Sequence, residues 1–314
     1  MTDTSGFAPR RTLFYNSAHT GEPRLDTLVA QGTYANGFLA HLLREDCHTL
    51  LAYGRGDFTP VVVSDDRDRA AALITCALAD DPYERPLIET LRGFVATTAV
   101  ALLRHPTVHY EIVYTHPAPR TAGDPSTGFL LLPVPPGTVR TRRGRSVQYV
   151  PAAHATHRTR RGVGFIDLNP DTLATFRLDP GLEHHVRTAF AALASADTMS
   201  GVLGPDAHQA ATARSVTSAT AAVGWNGRIE PLSKQQLWPY QVWRRLEFLA
   251  FRIKVRDAVL SCLNNALAQA GHRLRLPMSI ELHDVVDLEQ VRSAQDDLLT
   301  GRKSLNDLIR YSLQ

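Results

Sequence analysis

The stretch PYQVWRRLEFLAFRIKVRDAVLSCLNNALAQA, residues 239–270, carries the most regular pattern in the chain. Apart from Arg256, the stripe positions are apolar, and they recur at alternating spacings of four and three, as on one face of an α-helix. They are Val242, Leu246, Leu249, Ile253, Arg256, Leu260, Leu263 and Leu267. Other basic side chains, such as Arg244 and Arg252, lie largely off the stripe. The spacing predicts a helix of roughly 30 residues, about 45 Å long, that ends at Gly271.

Shorter helices are predicted in the N-terminal third, which we interpret as a helical region. Residues 24–52 have leucines at three- and four-residue spacings, which predict one or two helices with a weak point around Gly32 and Gly37. A second helix is predicted over Arg67–Ala79. A third follows Pro86 and ends before Pro106.

The hydrophobic period changes in the middle third of the chain. VHYEIVY, residues 108–114, alternates and is rich in β-branched and aromatic residues, which is typical of a strand. A polar loop rich in Pro and Gly follows over residues 116–128. The predicted strands are Val108–Tyr114, Phe129–Val134, Arg145–Val150 and Val163–Leu168.

Helical signals return after the β-rich region. Asn169-Pro170 and Asp179-Pro180 each combine a capping residue with a proline suited to the first helical position. Residues 200–224 are small and polar, which predicts a long loop. Beyond the long helix we predict a strand over Met278–His283, a helix from Asp287 to Gly301 and a last short helix from Ser304.

These elements together predict an α+β fold. It is mostly helical, with a small central β-rich unit and one long C-terminal helix. We divide the chain into a helical region, a β-rich unit, a region with one helix and an irregular loop, and a region with the long helix, a strand and the C-terminal helices. Their boundaries are residues 1–105, 106–178, 179–235 and 236–314.

Composition bounds the class of protein. The 314 residues are 44% hydrophobic, enough to bury a sizeable core. Cys47, Cys76 and Cys262 are far apart and lack metal-binding spacing, which fits a reducing compartment. The N-terminus has no apolar stretch typical of a signal peptide, and no run of 18 apolar residues follows. We therefore expect an intracellular protein without a membrane span.

The sequence contains no recognisable catalytic motif. His41, Glu45 and His48 could share one helix face, but no third ligand follows at a known spacing. Gly301-Arg-Lys-Ser304 resembles the end of a P-loop but lacks its first glycine and its preceding strand. Glu111 lies within a predicted strand without a second carboxylate at a meaningful spacing. We assign no catalytic, cofactor-binding or metal-binding residue and expect a protein that is not an enzyme.

The charge distribution is more informative than any motif. Residues 140–161 contain seven arginines, two histidines and no acidic residue, although the net charge of the whole chain is only +3. Such a block attracts phosphates or an acidic protein surface. It is also compatible with two solvated hairpin ends. The candidate contact residues are Arg140, Arg142, Arg143, Arg145, Arg158, Arg160 and Arg161.

The order of elements resembles that of tailed-phage portal proteins, over about residues 85–313. The helical residues 88–104 followed by HYEIVY resemble the portal helix that leads into a strand, and FLLLPVPPGTV, residues 129–139, resembles a later portal segment. A long helix, the strand SIEL and a helix ending in LLTG, residues 298–301, resemble the end of a portal chain. The chain is short for this family, and residues 200–235 match no part of it.

The resemblance implies a homo-oligomeric ring, commonly a dodecamer, whose axial channel carries double-stranded DNA during packaging and ejection. It implies contacts with the capsid, the packaging motor and the head-to-tail connector, no cofactor, and a location in the virion after assembly in the host cytoplasm. By position, residues 129–150 with 162–168 would form the clip-like β unit, Leu182–Leu193 the stem helix, and Trp238–Ala270 the wing helix.

Two other classes of protein remain open. One is an enzyme whose site is assembled from scattered His, Glu and Asp residues. The other is a monomeric regulatory protein that binds nucleic acid through the same arginines, with a steep dependence on salt.

Overall fold

The structure is a computed structural model of the 314-residue chain. The residues that it describes are 34–35, 37–48, 50, 58–79, 85–115, 128–142, 145–149, 165–198, 213–228 and 238–303.

The fold is α+β, as the sequence pattern predicts. The helices are α1 (Phe38–His48), α2 (Arg67–Leu78), α3 (Leu87–Leu102), α4 (Pro180–Thr198), α5 (residues 213–219), α6 (Trp238–Leu274) and α7 (Leu288–Thr300). The strands are β1 (Thr59–Val63), β2 (Thr107–Thr115), β3 (Gly128–Val134), β4 (Val139–Arg142), β5 (Arg145–Tyr149), β6 (Phe165–Asp167), β7 (Leu173–Arg177) and β8 (Ser279–His283). None of the described helices combines the length and the hydropathy needed to cross a bilayer.

The strands form three small antiparallel sheets. Sheet I pairs β1 with β8, which lies more than 200 residues later in the chain. Sheet II has the order β3-β2-β7, and sheet III has the order β4-β5-β6. The predicted β-rich unit is therefore divided between two sheets, with β7 returning to pair with β2.

The long helix α6 lies at the centre of the molecule. It has 37 residues, so it extends about 55 Å at 1.5 Å per residue. Its C-terminal two thirds contribute Phe251, Val255 and Val259 to the main apolar core, which also contains residues from α1 to α4 and from sheets I and II. Its N-terminal part forms a second apolar cluster with α7, in which Leu246 packs with Val291. The helix is thus buried on two faces rather than on the single predicted stripe.

The end of α6 differs from the prediction. Gly271 does not terminate the helix, which continues to Leu274, and Arg275 adopts the left-handed conformation with φ of 55°. The chain then folds back, and the Leu276 N–H donates to the Gly271 carbonyl at 3.0 Å. A Cβ atom at position 271 would lie 2.5 Å from the Leu276 carbonyl oxygen. Gly271 therefore permits the turn to pack against the helix, and Arg275 takes the position usually held by glycine.

Some short elements were not predicted. The described part of the N-terminal third contains three helices and also the short strand β1, which was not predicted. The signal at Asn169 begins only a 3-10 turn, Pro170–Thr172, which leads directly into β7. The predicted loop over 200–224 was wrong for its described part, which contains α5 and a 3-10 turn over Ala221–Val223. The helix predicted from Ser304 and the N-terminal part of the helix predicted over 24–52 lie outside the described residues.

Residues 213–228 pack between α1 and α6. The Trp225 side chain is only 1% exposed, and its Nε1 donates to Asp46 Oδ2 at 2.7 Å. Arg228 also contacts Asp46, with a shortest nitrogen-to-oxygen distance of 2.6 Å. From α6, the buried Arg244 donates to Thr220 Oγ1 at 2.9 Å and to the Trp225 carbonyl. These polar contacts join three separate parts of the chain.

Gly224 makes the closest approach of this segment to α6, so its substitution tests the packing. The residue has φ of 72°, and an added Cβ would lie 2.3 Å from the Phe248 backbone nitrogen. We expect Gly224→Ala to lower the free energy of unfolding by about 2 kcal/mol or more, because backbone on both sides must move. Chemical denaturation measures this change.

Gly93→Ala is the matched control. Gly93 lies within α3, and an added Cβ there meets nothing within 4 Å. This substitution should raise the free energy of unfolding by about 0.5–1 kcal/mol. Equal effects of the two substitutions would contradict the close packing of residues 213–228 against α6.

Candidate nucleic-acid interface

The N-terminal part of the predicted arginine block lies in sheet III. Strands β4 and β5 form a hairpin whose register pairs Arg142 with Arg145 and Arg140 with Val147. Side chains two residues apart on a strand share a face, so Arg140 and Arg145 are diagonal neighbours on one face of the hairpin. The backbone pairing therefore brings three of the seven predicted residues together.

Arg143, Arg158, Arg160 and Arg161 lie outside the described residues. Their contribution to a common surface remains a prediction from the sequence. Arg143 is nonetheless one of the two residues that connect β4 to β5, between Arg142 and Arg145.

The pairing of Arg142 with Arg145 places two residues of like charge directly opposite each other. Such cross-strand pairs destabilise a sheet, whereas an opposite-charge pair would contribute roughly 0.2–1 kcal/mol. Arg145 is exposed, at the end of the hairpin where the strands turn. Two arginines paired in the backbone register at this end of the hairpin make it a candidate site for an anion.

Buried polar side chains form hydrogen bonds where the hairpin begins. The buried Thr138 donates from Oγ1 to the Pro135 carbonyl at 2.6 Å, and its own carbonyl accepts the Tyr149 N–H at 2.9 Å. The buried Gln148 donates from Nε2 to Thr138 Oγ1 at 3.4 Å. These hydrogen bonds therefore fix the orientation of β4 and β5 where the hairpin begins.

The strands of sheet III make their principal contacts with one another among the described elements. No residue of these strands belongs to either of the two apolar clusters. The 3-10 turn that connects sheet III to β7 contacts α6, where Gln269 Nε2 donates to the Asp171 carbonyl at 2.6 Å. The arginines are thus carried on a small sheet that lies outside the two apolar clusters.

The face that carries Arg140 and Arg145 is not uniformly basic. Asp167 of β6 pairs with Val147, so it lies on the same face as both arginines. The positive charge is therefore concentrated toward the turn of the hairpin, and the carboxylate lies on the opposite edge strand. This gradient favours contact between an anion and the turn.

The histidines and carboxylates of the described residues form no metal site. His41 Nε2 lies 3.1 Å from Glu45 Oε1, but Glu45 also accepts from Arg228 at 3.1 Å. Across the described ranges, no group of three or more His, Cys, Asp and Glu side chains is placed to hold a metal ion. Glu45 therefore contacts both His41 and Arg228.

Glu111 and His109 occupy one face of β2. Burial lowers the pKa of His109 to about 4, and its Nδ1 lies 3.1 Å from Thr175 Oγ1. The cross-strand neighbours of the buried Glu111 are Leu132 and Leu173. Sheet II therefore sets no second carboxylate directly beside Glu111.

Comparison of the sequence with protein-family models and with curated proteins found no match. The functional interpretation therefore depends on the geometry and charge of the chain itself.

The substitution Arg145→Glu distinguishes a role of Arg145 in stability from a role in DNA binding. Arg145→Glu puts a carboxylate opposite residue 142, so we expect an unchanged or slightly higher melting temperature. The same change should lower the affinity for duplex DNA roughly tenfold at low salt, because a phosphate contact is replaced by repulsion. Thermal melting and fluorescence anisotropy with labelled duplex measure the two effects.

Arg67→Glu controls for the change in net charge, because Arg67 is an exposed residue at the start of α2. It should leave DNA affinity nearly unchanged. A hairpin variant that melts lower and binds DNA normally would mean that Arg145 has a structural role only.

Proposed function

We propose that the chain is the protomer of a ring-forming, portal-like structural protein, in which hairpin β4–β5 contacts double-stranded DNA in an axial channel. The observation that carries this proposal is the pairing of Arg142 with Arg145 at the turn end of hairpin β4–β5. A pair of like charges that weakens its own strand pairing has a clear use if it binds a polyanion.

Arginine contacts with DNA phosphates suit a channel that passes DNA of any sequence better than a protein that recognises a particular sequence. Phosphates occur about every 1.7 Å along duplex DNA, and contacts with them carry no sequence information. A short hairpin with few cationic side chains would bind DNA weakly by itself. A ring presents the hairpin once per subunit, so many weak contacts act together while each is released easily. DNA could then move along the channel.

The arrangement of the long helix also supports a structural role. A helix of 37 residues whose two apolar faces are covered by other parts of the chain gives the fold a rigid centre. The order of helix α3, strands β2 and β3, helix α6, strand β8 and helix α7 follows the order that the resemblance to portal proteins implies. No residue has a catalytic role in this proposal, because a ring of this kind acts as a conduit.

The partners follow from the same proposal. They are further copies of the chain, duplex DNA, the capsid, the packaging motor and the head-to-tail connector, and the ring would reside in the virion after assembly in the host cytoplasm. The second candidate is a monomeric regulatory protein that binds nucleic acid, and the same hairpin favours it. The two candidates differ in whether copies of the chain associate.

The mass of the native particle distinguishes these candidates. We expect light scattering after size-exclusion chromatography to give about ten to fourteen times the 34.6 kDa of one chain, at high protein concentration or with duplex DNA added. A single-chain mass under all these conditions, together with salt-sensitive DNA binding, would favour the monomeric regulator instead.

A further inference from the structure

The three strands of sheet III contain one acidic residue, Asp167 of β6. Asp167 is exposed, and its partner in the strand register is Val147 of β5, which pairs on its other side with Arg140 of β4. Residues paired across neighbouring strands share a face, and so do residues two apart on one strand. Asp167 therefore lies on the same face as Arg140 and Arg145. The basic end of the hairpin has a carboxylate of its own chain beside it.

The strand register also sets the distance from Asp167 to each arginine. Arg145 is two residues before Val147, so it is a diagonal neighbour of Asp167 on the adjacent strand. Diagonal neighbours are about 7–8 Å apart, which is within reach of a long side chain. Arg140 is two strands away from Asp167, at roughly 9–10 Å. Of these two arginines, Arg145 is therefore the nearer to the carboxylate.

The backbone keeps Asp167 at this position. Leu168, the next residue, is buried, and its N–H donates at 2.9 Å to the carbonyl of Ser146. Ser146 is the residue that follows Arg145, so this hydrogen bond joins the backbone next to the carboxylate with the backbone next to the guanidinium. Strand β6 cannot move Asp167 away from Arg145 without breaking this bond.

The attraction between Arg145 and Asp167 acts across solvent. The Arg145 side chain is exposed, and among the residues that the structure describes it forms no hydrogen bond or ion pair. In water, opposite charges about 7–8 Å apart change an equilibrium roughly two- to threefold, and salt screens the effect. An attraction of this size weakens a contact between Arg145 and a phosphate without preventing it.

We propose that Asp167 competes with DNA for Arg145, so that a phosphate of the duplex must replace the carboxylate when the hairpin binds. Carboxylate and phosphate are both anions that arginine binds, and one guanidinium cannot serve both fully. The competition lowers the affinity of each hairpin for DNA and makes each contact easier to release, which suits a channel through which DNA moves. This inference rests on the proposed contact between the hairpin and DNA, and it holds whether or not copies of the chain form a ring.

Removing the carboxylate tests the competition. Asp167→Asn keeps the size of the side chain and removes its charge, so we expect the variant to bind labelled duplex about threefold more tightly than the unmodified chain at low salt. The gain should disappear at high salt, because the attraction that is removed is screened there. Fluorescence anisotropy measures both affinities. Asp167→Thr removes the same charge with a residue suited to strands, so it serves if the asparagine variant does not fold.

Two comparisons show whether the effect belongs to Arg145. Asp296→Asn removes the same charge from an exposed position on α7, which packs against the N-terminal part of α6, and it should leave DNA affinity nearly unchanged. In a chain that carries Arg145→Gln, the further change Asp167→Asn should give no gain, because the guanidinium that the carboxylate attracts is already absent. This double-mutant cycle isolates the interaction between the two positions.

The outcomes distinguish this inference from the proposed function. If neither the unmodified chain nor any variant binds duplex DNA, the proposed function and the inference fail together. If the unmodified chain binds and Arg145→Gln weakens binding, but Asp167→Asn binds no more tightly than Asp296→Asn, the competition is wrong and the proposed function stands. An equal gain with and without Arg145 would also overturn the inference, because the carboxylate would then repel the phosphates directly.

Discussion

The burial of α6 on two opposite faces is the constraint on which the rest of the structure depends. One face joins the core of α1 to α4 with sheets I and II, and the other holds α7. Two basic side chains of the helix, Arg244 and Arg256, are buried. Arg244 is accommodated there by the Thr220 hydroxyl and the Trp225 carbonyl, which satisfy a charge that would otherwise be costly to bury. The helix therefore organises even the segment that appeared irregular in the sequence.

Helix α6 supports the elements around it, because its two apolar faces are covered by other parts of the chain. The basic hairpin belongs to sheet III, which lies outside both apolar clusters, and it places Arg142 opposite Arg145. In our account, α6 resists deformation, while the hairpin provides the contacts with DNA. This division of roles suits a structural subunit.

The sequence predicted the long and strongly periodic elements well. The three- and four-residue spacing identified α6, and Asp287 with Gln290 identified the start of α7 through a capping box that the structure contains. Elements whose stability comes from distant partners were missed. Strand β1 has only five residues, including a proline, and it forms by pairing with β8. Likewise, the end of α6 depended on the packing of Leu276 near Gly271, which local propensity does not reveal.

The candidate site was predictable in composition but not in geometry. The arginine block is visible in the sequence, whereas the opposition of Arg142 and Arg145 requires the strand register. Amide hydrogen exchange tests the central claim most directly. The account predicts the slowest exchange in the middle of α6, and slower exchange on adding duplex DNA at residues 139–149 but not along α6. Fast exchange in α6, or DNA protection that avoids the hairpin, would contradict it.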